Sequence, residues 1–353
     1  MTEARWKHRP EGSNWGEFGA DDQLGRMNLV DRDKVLQGLA EAKEGLTFSL
    51  SLPLDYPGGS DLNPRRKPPI LRPTLRGDRA NFNAVPSAAA PGEEPTDVFC
   101  DDLAILHLQY STQWDALCHV GSQFDADGDG VAERVYYNGF RAGREIVGPD
   151  DPEDAGLPSR MPERSTSRAG ALGIENLAAH GVQGRAAMID LRAHLGDART
   201  LVGYDRLMGI LEADGVEVER GDMVCLHTGF ADIVLEMARE PDPARLHGAA
   251  AVLNGRDARL LNWVTDCGLA ALIADNYAVE ALPAEPGAAA RCSGLPLHEH
   301  CLFKTGIPLG ELWHLTPLAD WLRARGRYRF LLTAPPLRLP GAVGSPVSPV
   351  ATV

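Results

Sequence analysis

No run of 18 apolar residues occurs anywhere in these 353 residues, so no membrane-crossing helix is expected. The opening stretch, MTEARWKHRPEGSNWGEF, also lacks the apolar core of a secretory leader. A basic cluster is missing too. The chain has 35 basic and 49 acidic side chains, a formal net charge of −14. That balance argues against a nucleic-acid backbone, or an anionic membrane surface, as the partner. Cysteine is sparse and scattered: Cys100, Cys118, Cys225, Cys267, Cys292 and Cys301 form no CxxC pair and read as free buried thiols in a reducing cytoplasm. GxGxxG, GxxxxGK(S/T) and GxSxG are all absent, which leaves dinucleotide, P-loop and serine-hydrolase chemistry without a motif. The remaining expectation is a soluble, cytoplasmic globular protein.

Glycine and proline, by contrast, are plentiful at 37 and 26, and they gather at 53–75, 85–96, 148–170 and 283–296. These stretches read as surface loops rather than linkers. One domain over 1–353 is expected, with a loop-rich N-terminal portion (about 1–100). Asp31 caps an expected helix to Gly45 with Val35, Leu36 and Leu39 on one face. Leu46, Phe48, Leu50 and Leu52 alternate with polar residues as a strand. Strands are further expected at 103–108, 186–191, 223–226, 269–273 and 328–332, and helices from Asp205, over 256–267 and over 311–323. This alternation in the second half favours an α/β architecture.

Three polar clusters carry candidate chemistry. Gln109-Tyr-Ser-Thr-Gln113-Trp-Asp115-Ala-Leu-Cys-His119 follows the 103–108 strand. Four residues apart, Asp115 and His119 would share one face of a helical turn. They could share a metal, or Asp115 could orient His119 as a general base; a structural pair on a helix capped by Thr112 is the plainer alternative. The second cluster is His298-Glu299-His300, followed by Glu311 across GIPLG. Imidazole and carboxylate suit a divalent metal. The plainer alternative puts His298 and His300 on opposite faces of a strand, with Glu311 at a helix start. The third, Asp125-Ala-Asp127-Gly-Asp129-Gly130, matches the first half of a calcium loop, with Glu133 at position 9 but Tyr136 where a bidentate Glu is needed. Trp114 is a candidate pocket wall or core residue, His227 reads as structural, and Arg65, Arg66 and Lys67 sit in an exposed loop that could serve as a lid.

Taken together with the segments around them, the first two clusters resemble the cyclase family of metal-dependent hydrolases, which includes kynurenine formamidases and isatin hydrolases. Asn14-Trp-Gly16, Gly25-Arg-Met-Asn28, GDMVCLHTGF (221–230), GLAALIADNYAVEALP (268–283), LPLHEHCLFKTGIPLGELW (295–313) and PPLRLPGAVGSPVSPVA (335–351) carry the resemblance in order. In the family's HxGTHxDxxxH signature, two His and the Asp hold the metal and the last His does acid–base work. Here the two ligand His fall on Gln109 and Gln113, Asp115 and His119 are kept, and Ser111 replaces Gly. His298 and Glu311 match the second ligand group, and Ser348 stands where the closing segment usually has Arg.

The resemblance implies a swivelling β/β/α fold with a mixed sheet and flanking helices. It implies a hydrolase of a cyclic amide, N-formyl amide or lactone, with Asp115, His298 and Glu311 as metal core, Gln113 and Gln109 as helpers and His119 as acid–base. Neutral amide oxygens are weak zinc ligands, so the shell shifts toward manganese. Tyr137 and Asn138 resemble a family segment bordering the substrate, alongside Trp114. A metal-independent lyase or cyclase is the second expectation, and a non-catalytic small-molecule binding protein the third. Relatives commonly assemble, and an alternating edge strand wants covering, so a homodimer or homotetramer is expected.

Overall fold

The computed structural model describes residues 5–157 and 164–353; of the expected 148–170 loop, residues 158–163 therefore lie outside the described residues. Nine strands form one large mixed sheet: β1 (Thr47–Ser49), β2 (Gln113–Asp115), β3 (Gln183–Asp190), β4 (Met223–His227), β5 (Ala271–Ala274), β6 (Leu309–Glu311), β7 (Arg329–Thr333), β8 (Gly344–Pro346) and β9 (Val350–Thr352). Their spatial order is β1-β9-β7-β3-β4-β5-β6-β2-β8. The pairs from β3 to β6 are parallel, and the pairs outside them are antiparallel. The parallel strands β4 and β5 are buried at every residue, as expected where helices cover both faces. Flanking helices include α1 (Arg32–Glu41), α2 (Tyr204–Asp214), α3 (Ala258–Asp266) and α4 (Thr316–Arg323). None of the described helices is long and apolar enough to cross a membrane. This is the expected α/β class, a mixed sheet flanked by helices.

Helix α1 starts where Asp31 was expected to cap it, with the Asp31 side chain accepting from the Lys34 N–H. The buried face differs from the expected one. Leu36 and Leu39 are exposed, and the helix packs through Lys34 and Gly38. A Cβ on Gly38 would stand 2.7 Å from the Gly184 carbonyl carbon, so only glycine lets α1 lie so close to β3. The apolar stripe misled because closeness of approach, rather than apolar area, fixes this contact.

Several local expectations need correction. The 103–108 strand is Asp102–Ile105, and it pairs with Ile70–Pro73 in a separate two-stranded arm, outside the large sheet. The stretch from Gln113 is a strand rather than a helix. Thr112 caps nothing there: its hydroxyl accepts from the Leu52 N–H at 2.9 Å and donates to the Leu312 carbonyl at 2.5 Å. Glu311 ends β6, and the helix begins only at Thr316. His298 and His300 lie on a helical turn, Pro296–His298, that runs into a π-helix over Glu299–Lys304; both are buried. All six cysteines are free, and Cys100 and Cys292 are exposed rather than buried.

Beneath α1, the fully buried Asp222 accepts from Lys34 Nζ at 3.0 Å and from Arg185 Nε at 2.8 Å. This ties the helix to β3 and to the turn before β4. Removing one member of a buried ion cluster leaves uncompensated charge, which typically costs about 3–5 kcal/mol. Asp222→Ala is therefore expected to lower the unfolding free energy by about that much in urea titration. A loss below about 1 kcal/mol would mean that α1 is held by packing alone.

Candidate active site

The site lies where β5 and β6 end and the antiparallel β2 joins β6. Register does the positioning. Gln113 of β2 is paired with Glu311 of β6, and Asp115 with Leu309, so Gln113, Asp115 and Glu311 share one face. Trp114 points to the other face by strand alternation. It is fully buried, edge-on to Trp313 with ring centres 5.2 Å apart, and its indole donates to the Ala334 carbonyl at 2.8 Å. Trp114 is thus a core residue and lines no part of the cavity described below.

His298 comes to this face from the helical turn after β5. Its Nε2 stands 3.2 Å from Glu311 Oε1 and 3.9 Å from Asp115 Oδ2. Asp115, His298 and Glu311 each offer a ligand atom within 4.8 Å of the others'. All three are buried. His119 follows β2 on a turn in which its N–H donates to the Ala116 carbonyl; its Nε2 is 3.8 Å from Asp115 Oδ1. The Asp115–His119 pair therefore arises from strand plus turn, instead of one helix face.

Sequence reasoning missed Glu280. It is buried at 1% exposure, and its carboxylate accepts from His298 Nδ1 at 2.8 Å and from the backbone N–H groups of His298 and Leu297, each at 3.0 Å. It therefore caps the helical turn and aims Nε2 of the imidazole at Asp115 and Glu311. A carboxylate behind a candidate ligand histidine is the usual means of fixing its tautomer. A Glu within the 268–283 segment was visible, but nothing in its spacing tied it to His298.

The electrostatics follow from this crowding. Burial opposes charge on His298, but its bonds to Glu280 and Glu311 prevail and lift its pKa to about 10. Burial raises the Asp115 carboxyl, reinforced by the charge of Glu311. Burial would also raise Glu311, yet the hydrogen bond and charge of His298 outweigh it and hold that carboxyl low. His300 has a different fate: burial pushes it down to about 4, and it bonds the Thr265 hydroxyl at 2.8 Å. His227 is buried between Asp190 and Thr316, at 2.7 Å and 3.0 Å.

The donor set fits a divalent cation. Asp115 Oδ2 and Gln113 Oε1 are buried acceptors with no hydrogen-bond partner among the described residues. A cation beside two carboxylates and an imidazole nitrogen would satisfy Asp115 Oδ2, and Gln113 Oε1 once its amide turned inward. Gln113 Nε2 meanwhile donates to Asp115 Oδ1 at 3.3 Å and to Glu311 Oε2 at 3.1 Å. Gln109 makes no bond to this group. Its amide packs against Gly344, the cross-strand partner of Asp115, with Nε2 buried and unpaired.

Above the cluster opens a cavity of about 320 Å³. His119, His298 and Glu311 line its floor, and Tyr277, Leu282, Leu295 and Leu312 its walls. Arg65 and Arg66, expected in an exposed loop, line it too. Tyr137 and Asn138 do not. Tyr137 is core, and the Asn138 amide holds the N-terminal segment, accepting from Gly16 N–H and donating to the carbonyls of Gly19 and Asp22. In the third cluster, Asp125, Asp127 and Glu133 offer ligand atoms within 4.8 Å of one another. Arg141 already bridges two of them, at 3.2 Å from Asp127 and 2.6 Å from Glu133. Asp125 accepts from the N–H groups of Gly128, Asp129 and Gly130, and the exposed Asp129 binds the Val131 N–H without joining the group.

The model of the family described as "Putative cyclase" matches residues 49–281. The chain belongs to the cyclase family. The matched residues include Asp115, His119 and Glu280 but stop before His298 and Glu311. A crystal structure described as a novel cyclase is 29% identical, covers 97% of both chains and superposes with a TM-score of 0.70. Isatin hydrolase A from Labrenzia aggregata bound to benzyl benzoate is 14% identical, with a TM-score of 0.51, covering 91% of this chain and 98% of the other. An isatin hydrolase bound to the product analogue thioisatinate is likewise 14% identical at a TM-score of 0.51, covering 92% and 99%. At that identity the two isatin hydrolases speak to the fold alone. No curated protein sequence matches the chain.

Glu280→Gln tests the orienting role. It keeps the shape but turns an acceptor toward an N–H donor, and loss of such a partner typically weakens metal binding about 10–100-fold. Calorimetric titration of manganese into metal-free protein is expected to show that loss with the fold unchanged by circular dichroism. Unchanged affinity would remove Glu280 from the site.

Proposed function

We propose that the protein is a hydrolase that opens a carbon–nitrogen or ester bond, in a cyclic amide, an N-formyl amide or a lactone. The observation that carries this reading is the convergence of Asp115, His298 and Glu311 in one buried cluster on the floor of a cavity shared with His119. Membership of the cyclase family, and a fold shared with isatin hydrolases, support it.

Asp115, His298 and Glu311 would hold a divalent ion, with Gln113 able to turn its amide oxygen inward. Such an ion polarises a substrate carbonyl and makes water more acidic. His119, at the cavity and beside Asp115, takes the proton from the attacking water and returns it to the departing nitrogen or oxygen. Asp115 steadies the imidazolium while it carries that proton. The apolar walls limit access of further water. Two carboxylates, one imidazole and an amide make an oxygen-rich shell, better suited to manganese than a multi-histidine shell would be.

A second reading draws on one observation: Gln113 Nε2 bridges Asp115 and Glu311, a placement in which an amide does part of what a cation would do. On that reading the protein is a metal-independent lyase or cyclase using His119 and the same carboxylates. Chelation separates the two, since activity that survives exhaustive EDTA treatment favours the second.

Under either reading His119→Ala is expected to lower kcat by about 10²–10⁴-fold without unfolding the protein. A variant that keeps more than about a tenth of wild-type kcat would sink the acid–base assignment. Gln113→His sharpens the metal question. It replaces a neutral oxygen by imidazole beside Asp115 and Glu311, so zinc affinity should rise, measured calorimetrically on metal-free protein. Absent zinc binding in both wild type and variant would move the metal-free reading to first place.

A further inference from the structure

We propose that Arg66, assisted by Arg65, binds a carboxylate carried on the substrate's skeleton, so that the preferred substrates join an anionic group to a compact apolar or aromatic body. This deepens the reading of the cavity as a substrate site and rests on it. The chain carries a net charge of −14, and several of its arginines are held in buried or half-buried ion pairs. Arg185 is paired with Asp222 and Glu219, Arg192 with Asp197 and Asp232, and Arg141 with Asp127 and Glu133. Arg66 and Arg65 both line the cavity, and neither forms an ion pair among the described residues. Unpaired guanidinium in an acidic protein, placed at a concave site, is an anion receptor in waiting.

The geometry of Arg66 is prepared for the task. Its Nη1 donates to the Gln109 carbonyl at 2.6 Å, which anchors one arm of the fork and leaves the other donors free. It is half-buried, so less hydration must be shed when a planar carboxylate docks. Ser60 and Asn63 add neutral polar groups from the same loop, while Leu62, Leu282, Leu295 and Leu312 supply apolar wall. A volume of about 320 Å³ stands at the small end of the range for ligand pockets. Polar groups at the loop and apolar wall below match an anionic head on a small apolar frame.

A competing role is that Arg66 only offsets the charge of the buried carboxylates. Its charge helps hold the Glu311 carboxyl down and opposes part of the rise that burial imposes on Asp115. That role predicts no discrimination between anionic and neutral ligands of one shape. Benzoate and benzamide supply such a pair.

Calorimetric titration of both into wild type, Arg66→Gln and Arg66→Lys, with and without EDTA, decides between the roles. In EDTA, wild type is expected to bind benzoate at least about tenfold more tightly than benzamide, with the gap narrowing as salt is raised. Arg66→Gln should lose about that factor on benzoate and leave benzamide unchanged. Arg66→Lys keeps the charge but loses the fork, and should fall between. Equal affinity of wild type for the two ligands, or an equal loss on both in Arg66→Gln, overturns the proposal. If Arg66→Gln fails to fold, the wild-type preference and the Arg66→Lys result still decide it. Because binding is read without turnover, an intact preference in a protein that hydrolyses nothing refutes the hydrolase reading alone.

Discussion

Asp115, Glu280 and Glu311 are all buried within reach of a single imidazole, that of His298. Burying even one carboxylate without compensation is expensive, and three at one place require a counter-charge held in fixed position. His298 supplies it. Glu280 takes Nδ1 and Glu311 faces Nε2, so neither nitrogen is free to turn away. The ring's place is further fixed because Glu280 also caps the helical turn on which His298 stands. A helix terminus, a tautomer and a ligand direction thus depend on one glutamate.

The sheet brings these groups together through its change of direction. Strands β3 to β6 run parallel, and β2 enters antiparallel beside β6. The carboxyl end of β6 therefore meets the start of the incoming strand, and Glu311 finds Gln113 directly opposite. Open α/β sheets place their ligand crevices at the carboxyl ends of strands where connections diverge, for the same geometric reason. Thr112, one residue before Gln113, ties the segment at Leu52 to the residue after Glu311 through its hydroxyl. One side chain thereby sets the depth of β2 relative to β6, and with it the separation of the candidate ligands.

Much of this was legible in the sequence, and the failures have physical causes. Strands buried on both faces, such as Met223–His227 and Ala271–Ala274, announce themselves as apolar runs whatever their partners. Asp115, His298 and Glu311 could be grouped only through a family pattern, because their proximity arises from strand pairing across nearly 200 residues and leaves no local periodicity. Spacing by itself pointed to a helix at Asp115–His119, where a strand and a turn give nearly the same proximity. Trp114 was misjudged between pocket and core because alternation could not be applied before the strand was known. Tyr137 and Asn138 border an N-terminal segment that their own neighbourhood in sequence does not mention. Glu280 was missed, and Arg66 was read only as part of an exposed loop, for a related reason. Each acts through a partner far along the chain, His298 for one and the Gln109 carbonyl for the other.

Glutamine at 113 bears on how the carboxylates of the cluster are balanced, and not only on how tightly they could hold an ion. Imidazole at 113 would offer a basic nitrogen with no N–H free for two carboxylates at once. The glutamine amide can present either its oxygen inward or its two N–H groups, and here the N–H groups lie against Asp115 and Glu311. The same residue can thus serve a bound cation by its oxygen or stabilise the carboxylates by its nitrogen when no cation is present. Placed so, the amide lies between Asp115 and Glu311 and keeps the two carboxylates from facing each other directly. Histidine ligands would tie the cluster more closely to the metal, because the protein's stability would then depend on occupancy. With the Gln113 N–H groups against both carboxylates, the arrangement is one in which the amide, rather than a cation, lies between Asp115 and Glu311.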